Sequence, residues 1–512
     1  TDNRNRSGKP KAVPEKATRV KGLFKNPVQN SFKQDVQVIM QQFLREGTVF
    51  FERGRDWLMK DRMFSDRVFL KNLMGLALPI AAQSLMLSAV GVADTLMLGM
   101  VEQNAMAAVS LATKFQFVQN MILSVFVAAM VALGAQYWGK KDTVSMSKLF
   151  GITLRLNGLL SLVFFIGCEF FPGALMRAFT GDAELISIAE GYLRIAAFSY
   201  LLTGLTQCYL ALLKISEHAV DTAAISTTAV IINIGLNAVL IFGLAGAPRM
   251  GVQGAAVATL IARVVETVWA VLLSFRKGYI RPDYGFLIRR DRLLNRDYYH
   301  CMLPLLGGGM LWTIGFTAYS AFMGHVDQNA PAANSVASSV MELVCCMCNG
   351  LASGGGILVG NCLGAGKLEQ GKLYGQRVVK IGYLCGFVSS AVMYGITPLL
   401  LSIVKLNDIA YGYLQGMMPV MTVYIIGRVV NTITINGIFT AGGDTMFDFY
   451  SLAVTMWGIA LPLAALGTFV FHWPVWLIYA CTCLDEVGKI PWVMYHFKKY
   501  KWVKDLTRDG TE

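Results

Sequence analysis

Long apolar stretches separated by short polar segments fill the chain from about residue 68 onwards. A helix needs roughly 20 apolar residues to cross a bilayer, so this pattern predicts an all-α polytopic membrane protein. Segments of about 10 residues with alternating polarity, typical of a membrane barrel, are not seen. We predict twelve spans, at residues 70–98, 104–134, 148–171, 186–213, 220–245, 252–275, 299–325, 331–362, 371–402, 408–439, 447–471 and 474–496.

Similar motifs recur in the two halves of the chain in the same order. Pro79 and Pro304 are 225 residues apart, and so are Gly139 and Gly364; "KLFG" (148–151) is followed by "KLYG" (372–375) at nearly the same offset. Both halves start from the same side of the membrane. We therefore predict two six-helix bundles related by a pseudo-two-fold axis along the membrane normal, a design in which one half rocks against the other around a central cavity.

This division predicts five parts of the chain. They are a basic extension (1–67), an N-terminal six-helix bundle (68–276), a linker (277–298), a C-terminal six-helix bundle (299–497) and a basic tail (498–512).

The composition supports the prediction of a membrane protein, and the distribution of charge predicts its orientation in the membrane. The chain is 55% hydrophobic and 15% charged, against about 25% charged residues in soluble domains. Residues 1–72 hold 16 Lys and Arg against 8 Asp and Glu, and the connections 139–142, 276–296, 366–372 and 498–508 are also basic. The positive-inside rule then places both termini in the cytoplasm of a multi-pass protein of the cell membrane.

Within the extension, residues 35–64 have the pattern of an amphipathic helix in which aromatic and basic residues alternate. We predict that it lies on the anionic headgroups of the cytoplasmic leaflet, to which residues 1–72 are electrostatically suited. Binding of nucleic acid, which a basic arm alone would suggest, is not expected beside a membrane domain. Docking of a protein partner to residues 1–67 is the alternative.

Asp94 is a lone carboxyl group in an almost unbroken apolar stretch, "SAVGVADTLMLGM" (88–100). An aspartate near the middle of a membrane helix costs about 2.5–3.5 kcal/mol, so it faces the bundle or a wet cavity. Burial penalises the charged form, so small changes in hydration can decide the charge of this group. We predict a reversible acceptor of H⁺ or Na⁺; a simple interhelical hydrogen bond is the alternative.

Further polar residues inside the spans are candidates to line a substrate cavity. Each candidate has an alternative role. For the amide side chains it is simple interhelical hydrogen bonding, for Glu342 it is a helix–helix contact, and for Arg428 it is a structural role. Arg263 and Glu266, one helical turn apart, are predicted to pair with each other. The cavity candidates are Gln83, Gln116, Gln119, Asn120, Asn157, Gln207, Glu342 and Arg428.

The sequence contains no pattern typical of an enzyme. The five histidines are scattered and no phosphate-binding Gly-Lys-Ser/Thr loop occurs. The cysteines at 345, 346 and 348 lack the paired spacing of a structural zinc site. We expect no enzymatic activity, no metal site and no cofactor besides a coupling ion, H⁺ or Na⁺.

Several segments together resemble the multidrug and toxic compound extrusion (MATE) transporters of the bacterial and archaeal DinF-like type. They are "LPIAAQSLMLSAVGVADTLMLG" (78–99), "GAQYWGKKD" (134–142) with its partner "VGNCLGAGK" (359–367), "GVQGAAVATLIARVVE" (251–266) and "GRVVNTITINGIFTAGGDTMF" (427–447). The resemblance covers about residues 68–500. It implies a V-shaped pair of bundles, alternating access, and export of organic cations driven by H⁺ or Na⁺.

The resemblance also implies a cation-coupling site in the N-terminal half, at Asp94, Asn233, Asn237 and Thr259. The chain departs from the family where Asn237 replaces a second acid, so this site holds one carboxyl group. Trp312 and Asn431 stand where some members carry acids in the seventh and tenth helices. The departures argue against a C-terminal cation site of that kind and favour H⁺ over Na⁺.

These observations predict a secondary active antiporter that exports organic cations or other amphipathic compounds in exchange for H⁺ or Na⁺. One alternative is a flippase for a lipid-linked precursor, although such cavities tend to be strongly basic and Arg428 is the main cavity arginine expected here. The other is a non-transporting membrane subunit of a complex, recruited through the extension.

Overall fold

The computed structural model describes residues 66–100, 103–289, 291–327, 329–403 and 406–508. The predicted basic extension lies outside the described residues except for its last two positions, as does the amphipathic segment 35–64. Arg67 begins the first helix and also the compact unit that contains the helices described below.

The membrane-spanning helices are numbered in chain order, six in each half. The N-terminal half contains α1 (Arg67–Gly99), α2 (Gln103–Gly139), α3 (Thr143–Phe170), α4 (Ala183–Ile215), α5 (Ala219–Phe242) and α6 (Val252–Ser274). The C-terminal half contains α7 (Arg292–Val326), α8 (Ala330–Gly364), α9 (Leu368–Ile403), α10 (Asp408–Phe439), α11 (Met446–Phe469) and α12 (Val475–Val487 with Ile490–Lys498).

Among the helices of the described residues, eleven are long and apolar enough to cross a membrane. The twelfth, α12, is interrupted at Gly488 and Lys489. Each of its two pieces is shorter than the roughly 20 residues that a bilayer requires. The prediction of an all-α protein with twelve spans in two bundles is confirmed, with boundaries close to those predicted.

The seventh span is the main correction to the predicted boundaries. Asp291 caps α7 by accepting hydrogen bonds from the backbone N–H groups of Leu293 and Leu294, each at 3.1 Å. The helix therefore begins at Arg292, and residues 292–298 of the predicted linker are helical. A hydrogen bond from Lys148, at 2.9 Å, lowers the pKa of Asp291 and fastens the remaining linker to α3.

Two glycines allow the halves to meet at their closest point. We call the side of the bundle that carries the C-terminal segment 499–508 the tail face, and the opposite side the far face. At the tail face, a Cβ atom built on Gly139 would lie 2.0 Å from the carbonyl oxygen of Asn361, and one built on Gly364 would lie 1.9 Å from that of Gln136. Gln136 and Asn361 are themselves 225 positions apart, so the contact is reciprocal and follows the internal repeat.

A second close approach runs along α1 and α8. A Cβ on Gly350 would lie 2.4 Å from the carbonyl oxygen of Ala77, and one on Gly354 would lie 2.8 Å from the Ala77 nitrogen. Small residues at such positions let membrane helices pack backbone to backbone. The two halves are therefore in tight contact over the tail-face part of these helices.

The C-terminal segment crosses from the second half onto the first. Gln136 of α2 accepts a hydrogen bond from the Leu506 backbone N–H at 2.6 Å and donates to the carbonyl groups of Lys504 at 3.2 Å and Ala441 at 2.7 Å. The guanidinium group of Arg508 meets Asp297 with bonds of 2.6 and 2.7 Å. These contacts add to the closure of the tail face.

Candidate transport cavity

A large cavity of about 980 Å³ lies mainly in the N-terminal half. Its walls come from α1, α2, α4, α5 and α6, and parts of α7, α8, α10 and α11 line it near the tail face. Pockets that hold drug-sized ligands are typically about 300–1,000 Å³ and mostly apolar. The cavity is therefore large enough for an organic molecule, and the contacts at the tail face separate it from that side.

The four residues of the predicted coupling site are brought into one hydrogen-bonded chain. Asn237 Nδ2 donates to Asp94 Oδ1 at 2.5 Å and to Asn233 Oδ1 at 3.2 Å, and Asn233 Nδ2 donates to Thr259 Oγ1 at 3.2 Å. Because Asn233 and Asn237 are four residues apart on α5, they share one face of the helix. The chain thus connects α1, α5 and α6.

Asp94 also lines the cavity, close to the far-face end of α1. Asn237 is fully buried behind it, and its amide oxygen has no hydrogen-bond partner among the described residues. Tyr192 of α4 lines the cavity within electrostatic range of the carboxyl group. The arrangement offers a carboxyl group, an amide and a hydroxyl group on the cavity wall, with the amide of Asn237 behind them. This chemistry is suited to holding a proton or a hard cation.

Four of the other candidates do line the cavity. Gln83 also bonds to Ser226 at 2.7 Å, and Gln207 bonds to Asn120 at 3.4 Å. These residues combine a position on the cavity wall with interhelical hydrogen bonding, the two alternatives expected for them. The cavity-lining candidates are Gln83, Gln116, Asn120 and Gln207.

The expectation that Gln119 and Asn157 line the cavity is corrected by the structure. Both are fully buried between helices and lie outside the cavity wall. Gln119 donates to the carbonyl oxygen of Tyr200 at 2.9 Å, and Asn157 donates to that of Gly204 at 3.2 Å. Successive residues of a helix point about 100° apart. Gln119 therefore faces a neighbouring helix, whereas Asn120, the next residue of α2, faces the cavity.

Glu342 and Arg428 also lie outside the wall of this cavity. Glu342 is exposed on α8. Arg428 of α10 pairs with Glu486 of α12 at 2.8 Å, and it lies over the ring of Trp312. Glu486 lies within the predicted span 474–496, so the cost of a carboxyl group inside a span was the signal that could have indicated a buried partner.

The pair belongs to a buried cluster of charges in the C-terminal half. Glu486 also accepts from Lys489 at 3.0 Å and from the side chain of Asn431 at 2.8 Å. Next to it, Asp485 is buried and lines a small cavity of about 40 Å³. Its Oδ1 atom has no hydrogen-bond partner in the part of the chain that the structure describes. The cluster ties α10 to α12.

A third polar group lies at the tail-face end of the main cavity. As predicted, Arg263 and Glu266 pair, at 2.5 Å. Ser226 donates to the other oxygen of Glu266 at 2.8 Å. Lys214 of α4 and Asp448 of α11 line the same region, and neither was among the candidates. Their positions near helix ends resemble those of ordinary interfacial charges, which explains why the sequence pattern did not single them out.

The fold and the cavity define the class of this protein: two six-helix membrane bundles, related by an internal repeat, with a cavity that lies mainly in the N-terminal half and has apolar walls with a few polar groups. The family pattern of MatE matches residues 79–239 and again 304–466, once in each half. The chain belongs to the MatE family, and it is a multi-pass membrane transporter of that family.

Individual proteins are similar to the chain at low identity and high coverage. YisQ of Bacillus subtilis, described as an uncharacterized transporter, is 23% identical over 405 residues, which is 78% of this chain and 88% of YisQ. The probable multidrug resistance protein NorM of Pseudomonas aeruginosa is 24% identical over 449 residues, covering 79% and 90%.

Solved structures share the fold. A MOP superfamily transporter from Pyrococcus furiosus aligns with a TM-score of 0.75 at 16% identity, covering 84% of this chain and 96% of that one. A structure described as the outward-facing conformation of a multidrug resistance MATE family transporter gives the same TM-score, identity and coverage.

Proposed function

We propose that the chain is a secondary active antiporter that exports organic cations or other amphipathic compounds in exchange for H⁺. The observation that carries the proposal is the hydrogen-bonded chain Asp94–Asn237–Asn233–Thr259, in which every residue except the buried Asn237 lines the main cavity. A carboxyl group on the wall of a substrate cavity can hold either a proton or a cationic substrate, and competition between the two is the basis of exchange.

H⁺ is proposed over Na⁺ because the site has one carboxyl group. A proton neutralises one carboxylate and needs no further ligand, whereas Na⁺ requires several oxygen atoms around it. The unpartnered amide oxygen of Asn237 is the atom that would favour Na⁺. Exchange of one H⁺ for one monovalent cation moves no net charge, so a tenfold proton gradient, worth about 1.4 kcal/mol, sustains a tenfold substrate gradient. For a neutral substrate one net charge moves with the proton, and about 2.3 kcal/mol per 100 mV sustains a gradient of roughly 50-fold.

Alternating access is supported by the distribution of contacts between the halves. The reciprocal glycine contacts and the Gln136 hydrogen bonds lie at the tail face. Opening there while the far face closes would expose Asp94 alternately to the two sides. We also propose, from the positive-inside rule, that the tail face is cytoplasmic and that the protein resides in the cell membrane.

The substrate class is proposed from the cavity and from relatives. Several similar proteins are named probable multidrug resistance proteins. The cavity offers apolar walls with a few polar groups, which suits amphipathic molecules of varied shape.

The test is efflux of ethidium from liposomes that contain the purified protein, with a pH gradient and a Na⁺ gradient imposed separately. The wild type should respond to the pH gradient, and Asp94→Asn should lose that response because the amide cannot take up a proton. Glu342→Gln is the matched control, since this acid lies on a membrane helix outside the cavity wall. Efflux by Asp94→Asn at the normal gradient-dependent rate would refute the coupling role, and a response to Na⁺ alone would replace H⁺ by Na⁺.

A further inference from the structure

Lys214 is a charged group on the cavity wall that the proposed coupling mechanism does not use. The cavity-facing positions of α4 recur at helical spacing, and Lys214 is the last of them towards the tail face. Beyond Tyr192, these positions are Thr203, Thr206, Gln207, Leu210, Ala211 and Lys214. Because helical side chains lean towards the N-terminus of their helix, the long Lys214 side chain extends from the end of α4 back along the cavity.

The nearest acid to Lys214 is already engaged. Glu266 lies within electrostatic range of the ammonium group, but one of its oxygens accepts from Ser226 and the other from Arg263. The ammonium group of Lys214 forms no hydrogen bond or ion pair with any residue that the structure describes. The group of Lys214, Arg263 and Glu266 therefore presents two positive charges and one negative charge to the cavity.

The two remaining acids of the cavity do not balance this excess. Asp448 lines the same end of the cavity, but it packs beside Gly308 of α7, where an added Cβ would lie 2.9 Å from its Oδ2 atom, and the charged side chains within its electrostatic range are Lys489, Glu486 and Arg428. Asp94 lies beside Tyr192, which is roughly 33 Å from Lys214 along the axis of α4 at 1.5 Å per residue. The cavity thus has an acidic group near the far face and, near the tail face, an ammonium group that is paired with no acid among the described residues.

We propose that Lys214 binds the anionic group of an amphipathic substrate, such as a carboxylate, sulfonate or phosphate. An ammonium group has three hydrogen-bond donors and no acceptor, so an anion is the partner that satisfies it in this partly buried position. The walls around it, which include Val131 and Leu210, accommodate the apolar part of the molecule. The inference rests on the proposed function, because it takes the cavity to be the transport site, and it extends the substrates from cations to anions.

The test compares two probes that share a naphthyl ring and a butyl chain and end in a carboxylate or in a trimethylammonium group. KM values are measured for uptake into liposomes that contain wild type, Lys214→Met, Lys214→Arg or Lys114→Met. Lys114 is the matched control, since it is exposed on α2 and does not line the cavity. Lys214→Met loses a charge-assisted hydrogen bond to the carboxylate probe. The ratio of the KM for the carboxylate probe to the KM for the ammonium probe should therefore rise roughly tenfold to hundredfold.

Lys214→Arg should restore most of the preference, and Lys114→Met should behave as wild type. An unchanged KM ratio in Lys214→Met would overturn the inference and indicate a lysine that only reaches towards the membrane surface. Calorimetric binding of the carboxylate probe to the detergent-solubilised protein measures the same site without a gradient. The protein could bind the carboxylate probe in a Lys214-dependent way and yet show no ion-driven transport. That combination would refute the proposed antiport and would support the anion site.

The anionic group could belong to a free molecule or to a lipid headgroup. The binding measurement is therefore repeated with the protein in bilayers of phosphatidylcholine alone and with phosphatidylglycerol added. Competition by phosphatidylglycerol that disappears in Lys214→Met would identify a lipid headgroup as the occupant. Absence of competition, with carboxylate binding retained, would identify a free amphipathic anion.

Discussion

Replacing Gly364 by alanine should weaken the closure of the tail face. A Cβ atom at this position would lie 1.9 Å from the carbonyl oxygen of Gln136 and 2.4 Å from the carbonyl carbon. Neither atom belongs to a flexible side chain, so the two halves must separate to make room. Gly364 is the last residue of α8 and its φ is negative, so alanine does not strain the backbone itself.

The magnitude follows from the cost of overpacking, which is typically about 1–3 kcal/mol for an added methyl group in a close contact. If opening of the tail face relieves the clash, this cost shifts the equilibrium between closed and open states by roughly 5-fold to 150-fold. Gly139→Ala should have a similar effect, because its contact with Asn361 is the counterpart in the repeat.

The assay is the rate at which a membrane-impermeant maleimide, supplied at the tail face, labels a cysteine introduced at Thr440. This residue lines the tail-face end of the cavity and is buried. Labelling in the parent protein, which retains its ten native cysteines, gives the background. Gly364→Ala should raise the labelling rate several-fold, whereas Gly158→Ala, where a Cβ meets nothing within 4 Å, should not.

The double variant Gly139→Ala/Gly364→Ala gives a sharper check. Since one opening motion relieves both clashes, the combined shift should exceed that of each single variant when both sites strain the same closed state. Both single variants could instead fold normally and be labelled at the wild-type rate. This result would show that the tail face adjusts locally, and it would refute the claim that these glycines are needed to close it.

Two further predictions concern contacts that hold the halves or helices together. Glu486→Gln should lower the stability of the detergent-solubilised protein by about 3–5 kcal/mol, because Arg428 and Lys489 lose their buried counter-charge; thermal unfolding measures this, and a second change, Lys489→Met, should recover part of the loss. Gln136→Leu should also raise labelling at Thr440, because it removes the hydrogen bonds to Ala441, Lys504 and Leu506; labelling at the parental rate would show that the C-terminal segment does not help to close the tail face.

Much of the fold could be predicted because the apolar spans are long and their connections are short and polar. The start of α7 was missed, since Asp291 and the charged residues after it resemble a loop until the cap geometry is known. The break in α12 at Gly488 was missed as well, because an apolar pattern continues on both sides of it.

The candidate site divides in a similar way. Asp94 stood out because a carboxyl group in an apolar helix is costly, and the resemblance placed Asn233, Asn237 and Thr259 beside it. Gln119 and Asn157 could not be separated from Gln116 and Asn120 by composition, since all are amides within spans. Only the rotation of each helix against its neighbours decides whether an amide faces the cavity or another helix.

The sequence by itself therefore determined the number of spans, the internal repeat and the presence of an acid in the first helix, because these follow from hydrophobic length, spacing and the cost of burying charge. The tertiary structure decided which side chains share a space. It paired Arg428 with Glu486 and placed the Lys214 ammonium group on the cavity wall with no bonded partner among the described residues. It also packed Gly139 against Asn361 and Gly364 against Gln136. Such pairings depend on distances between helices far apart in the chain, which residue spacing along a single helix does not contain.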